Sequence, residues 1–141
     1  MFTLYKFLKR KKLILILIFV LFLVLRIPGL NLPYHQDERA WPGLGSASLK
    51  DFSGFVHPPL TYLVFIAGVN VFGEDHLRYL PFLFGIANFW LLFLLVRRRF
   101  SLKAALWSAL FFSIGFYSVL ASLMIDTDGQ VLPFFFLLSA L

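Results

Sequence analysis

The sequence predicts an all-α integral membrane protein, a helical bundle of about three to four transmembrane helices with an outer loop that carries short membrane-surface helices. Three observations predict it. Hydrophobic residues make up 60% of the 141 and charged residues only 14%, whereas a soluble surface needs about 25% charged residues to clothe it. The apolar residues come in runs long enough for membrane helices, and the charges separate by sign along the chain. Disorder is excluded by the apolar content, and nucleic-acid binding because the net charge of +6 is not spread over a soluble face. With no cysteine there is no disulfide framework, thiol nucleophile or thiolate metal site.

A bilayer's hydrocarbon core takes about 20 apolar residues of helix. Leu13–Leu25 is uncharged and the apolar run continues past Arg26 to Pro28, which predicts a first span near 13–30. Tyr79–Val96 and Ala104–Ile125 are uncharged over 18 and 22 residues and predict spans near 77–96 and 103–125. Gly129–Leu141 opens a fourth. The stretch 52–73 is also uncharged, but Pro58 and Pro59 keep its helix from starting earlier, leaving about 15 residues, short for a span.

Charge decides the role of that short stretch. The basic runs Lys6–Lys12 and Arg97–Arg99 with Lys103 belong on the cytoplasmic side. An even number of crossings must then separate them, so 58–73 is expected to lie on or dip into the outer face as an interfacial or re-entrant helix, within an outer loop 31–76. All seven acidic residues and all three histidines then fall outside. The N-terminus carries a positive region and an apolar core like a secretory signal. Arg26-Ile27-Pro28-Gly29 follows in place of a small-residue cleavage site, which favours a retained signal-anchor.

Four clusters carry the chemistry. Just beyond the first span comes Tyr34-His35-Gln36-Asp37-Glu38-Arg39-Ala40-Trp41. A carboxylate at a membrane boundary is partly desolvated and is a better base for it, although ordinary loop solvation accounts for many Asp-Glu pairs. The second cluster is His57-Pro58-Pro59-Leu60-Thr61-Tyr62; helix initiation explains the prolines but not His57, which can ligate a metal or donate to an anion. Arg78, before Tyr79-Leu80-Pro81, either snorkels to headgroups or holds an interfacial phosphate. In Asp126-Thr127-Asp128-Gly129-Gln130, Asp128 is placed to cap the following helix. Asp126, on the same predicted side as Asp37, has no such structural explanation. His35, Asp37, Glu38 and His57 together form a candidate nitrogen and oxygen site for a divalent cation.

The ordered set Arg26, Asp37-Glu38, His57-Pro58-Pro59-Leu60-x-Tyr62, Phe72-Gly73, Leu77-Arg78-Tyr79-Leu80-Pro81 and an acidic site after the third span resembles the N-terminal portion of GT-C-fold glycosyltransferases. The likeness is to the protein O-mannosyltransferase and lipid A aminoarabinose transferase type and extends over essentially the whole chain. It implies an enzyme of the plasma (inner) membrane that takes a sugar from a polyprenyl-phosphate carrier and transfers it, with inversion, on the extracytoplasmic side. The acceptor would be a protein, lipid or glycan. Carried over residue by residue, the resemblance puts the catalytic aspartate on Asp37 with Glu38 beside it, and the His-Pro-Pro-Leu element on His57–Leu60. The second acidic motif falls on Asp126 and Asp128. Arg39, Arg78 or a bound cation would meet the leaving phosphate.

Enzymes of this type have more spans, so the chain is expected to be the N-terminal part of a longer protein. The rival reading is a non-catalytic multi-span protein or a subunit completing a bundle with a partner. It explains the hydropathy and leaves the ordered motifs unexplained. A transporter fits less well, because no long span carries an ionisable residue near its middle.

Overall fold

The computed structural model describes residues 2–39, 41 and 59–141, and among these every regular element is helical. The helices are α1 (Phe2–Val24), α2 (Pro59–Phe72), α3 (Tyr79–Arg99), α4 (Leu102–Ile114), α5 (Phe116–Ala121) and α6 (Leu132–Ala140). Two segments, Arg10–Gly29 and Glu74–Arg99, are long and apolar enough to cross a bilayer. Leu60–Phe72, Leu102–Ile114 and Asp128–Ala140 are shorter apolar helices.

The helix α3 is the centre of the bundle, packed against α4 on one side and α6 on another, while α1 lies along α4. Between them sits a core of Ile18, Phe22, Phe82, Phe89, Phe93 and the two alanines Ala105 and Ala109. Apolar burial gives little drive between helices in lipid, so close packing has to hold them together. Ala105 and Ala109 are fully buried small residues that let α4 approach its neighbours. The Phe22 ring fills the centre, 5.4 Å from the ring of Phe89 and 6.0 Å from that of Phe112.

At the other end a second cluster of Trp41, Tyr62, Phe65, Val69, Leu77 and Ile125 docks α2 against the start of α3. At about 1.5 Å per residue, the 14-residue α2 is about 21 Å long, short of a hydrocarbon core. It ends at Gly73, whose φ of 79° lies in the region that favours glycine.

The third predicted span, continuous over 104–125, is instead broken at Gly115 into α4 and α5. The last turn of a helix leaves carbonyls without intrahelical donors, and here Arg26 supplies the donors. Its Nη1 donates to the Ser113 carbonyl (2.9 Å) and the Phe22 carbonyl (3.1 Å), and its Nη2 to the Phe112 carbonyl (3.2 Å). The hydroxyls of Ser118 and Ser122 on the far side of the break accept from Nη2 and Nε, each at 3.0 Å. The guanidinium is fully buried and stacks over the Phe22 ring, 3.8 Å from its centroid. Close approach of α3 completes the junction: a Cβ on Gly85 would come within 2.8 Å of Ser122 Oγ.

The fourth helix also starts differently. A π turn over Thr127–Val131 precedes α6 at Leu132. Asp128 therefore does not cap α6. It lies exposed in the first turn of the segment, where its charge faces the positive end of the helix.

All five N–H groups of Arg26 are engaged, so Arg26→Ala should leave buried carbonyls and hydroxyls unpaired and cost about 3–5 kcal/mol, as breaking a buried charge network does. Arg26→Lys should rescue little, since an ammonium has three donors and no planar fork. Thermal unfolding of the purified protein in detergent measures both; a lysine variant as stable as wild type would refute the fork geometry.

Candidate functional site

The Asp-Glu motif forms a short 3₁₀ turn, Gln36–Glu38, beyond the C-terminal end of α1. His35 precedes it in extended conformation, and the Glu38 carboxylate reaches back to accept from the His35 N–H at 2.7 Å. With three residues per turn, neighbouring side chains point about 120° apart. Glu38 turns inward, its side chain 1% exposed, and Asp37 turns outward, its side chain 84% exposed.

Glu38 meets Arg78, which immediately precedes α3. Arg78 donates Nε to Oε1 (3.2 Å) and Nη2 to Oε2, a two-point pairing that fixes both planes. The remaining Arg78 donors go to loop carbonyls: Nη1 to Leu32 (2.7 Å) and more weakly to Gly29 (3.4 Å), and Nη2 to Pro33 (3.0 Å). Arg78 is buried and does not snorkel. Oε1 of Glu38 also accepts the Ile125 N–H at 2.9 Å. One carboxylate thus joins the loop after α1, the start of α3 and the segment leading to Asp126.

Burial pushes the Glu38 carboxyl up. The Arg78 hydrogen bonds, the His35 and Ile125 N–H groups and the Arg78 charge outweigh it and hold the group below the ordinary carboxylate range. Tyr34 braces the same junction. Its hydroxyl donates to the Glu74 carbonyl (2.6 Å) and accepts from the Leu77 N–H (3.0 Å), and its ring lies 5.2 Å from the Arg78 guanidinium carbon. Burial pushes the Tyr34 phenol up, which keeps it protonated as the donor that the Glu74 carbonyl requires.

Beside this junction lies a mainly apolar cavity of about 360 Å³, lined by Leu32, Pro33, Leu120, Leu123 and Met124, with Glu38, Arg78 and His35 on its polar side. Asp37 does not line the cavity; its Oδ2 lies 3.5 Å from Nδ1 of His35, which does. Arg39 is exposed, and its side chain makes no hydrogen bond or ion pair to a described residue. Asp126 is half-buried one residue beyond the Ile125 N–H that Glu38 holds, and Asp128 is exposed two residues further on. His57 lies outside the described residues. Among the described residues no three His, Asp or Glu side chains gather with metal-binding spacing. Glu38 offers no open ligand position, because both of its oxygens are occupied by hydrogen bonds. Sequence reasoning missed the Glu38–Arg78 pair and the Tyr34 brace; Glu38 and Arg78 stand near opposite ends of the polar loop, and nothing local in the sequence pairs them.

The pair generates a pH dependence. A carboxyl depressed in the folded state contributes stability above its unfolded value, and loses it as the pH falls through the folded value. Stability should therefore fall on acidification below about pH 4.5, the ordinary glutamate value. Glu38→Gln should remove this component and strand the buried Arg78 charge, at a cost of about 3–5 kcal/mol near neutrality. Thermal melts of both proteins across pH 3–7 check it (a range set about the ordinary carboxylate value). An unchanged acid limb in Glu38→Gln would assign that limb to other carboxylates.

Residues 56–141 match the family model described as dolichyl-phosphate-mannose-protein mannosyltransferase. The match takes in all of α2 to α6, including Arg78 and Asp126, and begins after the Asp37-Glu38 turn. No curated protein and no solved structure matches the chain. The match covers well over half of the sequence, and the chain belongs to the dolichyl-phosphate-mannose-protein mannosyltransferase family, glycosyltransferases of the GT-C type.

Proposed function

We propose that the Asp37 carboxylate is the general base of a sugar transfer from a polyprenyl-phosphate carrier to an acceptor hydroxyl on the extracytoplasmic face. The observation that carries the reading is the division of the Asp-Glu motif. Glu38 is locked inward against Arg78, and Asp37 is presented outward against His35, which lines an apolar cavity. The acceptor oxygen bonds to the anomeric carbon as the bond from that carbon to the phosphate oxygen breaks. The acceptor proton passes to Asp37, and the lipid phosphate leaves as an anion that needs no general acid. Attack opposite the leaving group inverts the anomeric centre.

Positive charge stabilises the departing phosphate. Arg39 is the exposed cation next to the base and is assigned direct contact. Arg78, with its donors committed to Glu38 and the loop carbonyls, holds the floor of the site. Asp126 and Asp128, in the connection between α5 and α6, and His57 are assigned to substrate binding. A divalent cation at His35 and Asp37 would serve the same phosphate as Arg39.

Transfer of labelled sugar from polyprenyl phosphate in proteoliposomes, with the whole enzyme that carries this chain, tests the roles. General base catalysis is worth about 10²–10⁴-fold, so Asp37→Asn should lower turnover by that order while donor binding survives. Arg39→Ala should mainly raise the KM for donor. Near wild-type turnover by Asp37→Asn would remove Asp37 from this role.

The side of the membrane is tested separately. The chain has no cysteine, so single cysteines report cleanly. In intact cells a membrane-impermeant thiol reagent should label Asp75→Cys and leave Ser101→Cys unlabelled. Labelling at 101 would mean that α2 crosses the bilayer and that the acidic loops do not share one face.

A further inference from the structure

At the end of the bundle remote from Asp37, cations converge on a concave site. A cavity of about 230 Å³ is lined by Lys11 and Lys12 of α1, Arg97 of α3 and Leu102 at the start of α4. No acidic residue occurs between Met1 and Gln36 or between His76 and Ile125, so α1, α3 and α4 themselves carry no acidic side chain. The first turn of α4 also carries no acid, and its positive end faces the same region, with Ser101 capping the Ala104 N–H at 3.1 Å. Topology alone asks only that cations lie on one side of the membrane. It does not ask that cations from two helices line one cavity.

A second cavity, of about 240 Å³, lies between α1 and α4 and is almost wholly apolar. Ile14 and Ile18 line it from α1, Leu106, Trp107 and Leu110 line it from α4, and Lys103 is its one charged residue. Ile14 follows Lys11 at i+3 and Ile18 at i+7, and on α4 Leu106 and Leu110 stand in the same relation to Lys103. Such residues share a helix face. From Lys11 to Ile18 the apolar lining therefore descends about 10 Å below the cations. A charged head above and a hydrocarbon slot below is the shape of one ligand class.

We propose that this end of the bundle binds an anionic phospholipid, with its phosphate at Lys11, Lys12, Arg97 and Lys103 and an acyl chain in the α1–α4 slot. Charge complementarity selects an anionic head over a zwitterionic one, and the slot selects a lipid over free phosphate. The site is separate from the glycosyl-transfer reading and stands whether or not Asp37 is the base.

Native mass spectrometry of the full chain in neutral detergent, titrated with phosphatidylglycerol, phosphatidylcholine of equal chain length or inorganic phosphate, tests the proposal. Phosphatidylglycerol should bind most tightly. At about fivefold per cation, a Lys11→Gln, Lys12→Gln, Arg97→Gln variant should bind it about 100-fold more weakly. An Arg10→Gln, Arg98→Gln, Arg99→Gln variant has the same charge loss outside the cavity and should stay close to wild type. Leu106→Trp, which fills the slot and leaves every cation in place, should weaken the lipid about tenfold. That variant decides the matter if the triple variant fails to fold. Equal binding of the two phospholipids, equal losses in the two triple variants, or inorganic phosphate binding as tightly as phosphatidylglycerol would each overturn the proposal.

Discussion

A carboxylate buried beside a membrane helix is costly unless every oxygen is answered, and Glu38 is answered from three parts of the chain. Arg78 comes from the start of α3, the His35 N–H from its own turn, and the Ile125 N–H from the connection to α6. These contacts hold the loop after α1, the start of α3 and the α5–α6 connection to one point. The position of Asp37 follows from them. Once Glu38 is committed inward on a three-residue turn, its neighbour must face out. Tyr34 tightens the same point by joining Glu74 and Leu77, so the loop after α1 is braced on both sides of the motif.

Arg26 obeys the same rule one turn deeper. A guanidinium has five N–H donors, and inside an apolar bundle each needs an acceptor. The chain supplies them by ending α4 early: the break at Gly115 frees the Phe112 and Ser113 carbonyls and brings Ser118 and Ser122 within reach. Helix geometry here yields to polar satisfaction, since an unbroken helix would keep those carbonyls for itself. Asn88, near the middle of α3, does similar work on the other side by donating to the backbone and side-chain oxygens of Gln130 in the π turn. Irregular backbone at this depth occurs where buried side chains answer it.

The all-α membrane class was legible because hydropathy and charge balance are properties of composition. The existence of α1, α2, α3 and the α3–α4 turn was legible from apolar runs bounded by Pro58-Pro59, Arg97–Arg99 and Lys103. The break within 104–125 was not, because a glycine in an apolar run reads as tolerated until the partner for the freed carbonyls is known. That partner is Arg26, about 90 residues away. Asp128 read as a cap for the same local reason, and the π turn displaced the helix start beyond it. Asp37 and Glu38 were legible as a motif, but their opposite orientations depend on Arg78, 40 residues from Glu38. Periodicity records a residue's local period and not its distant partner. The segment holding His57 lies outside the described residues.

The orientation of the two carboxylates bears on their chemistry. Two adjacent acids in one environment compete for one proton, so neither is a defined base. Giving Glu38 four hydrogen bonds from N–H donors, two of them from a guanidinium, holds its charge and removes it from proton exchange near neutrality. Asp37 is left as the outward carboxylate of the motif, the one to which the proposed function assigns the acceptor proton. On that proposal, exclusion of water from the outward carboxylate falls to a bound lipid-linked sugar, which would cover the apolar cavity lined by neighbouring His35. The buried pair sets the geometry, and the substrate completes the environment.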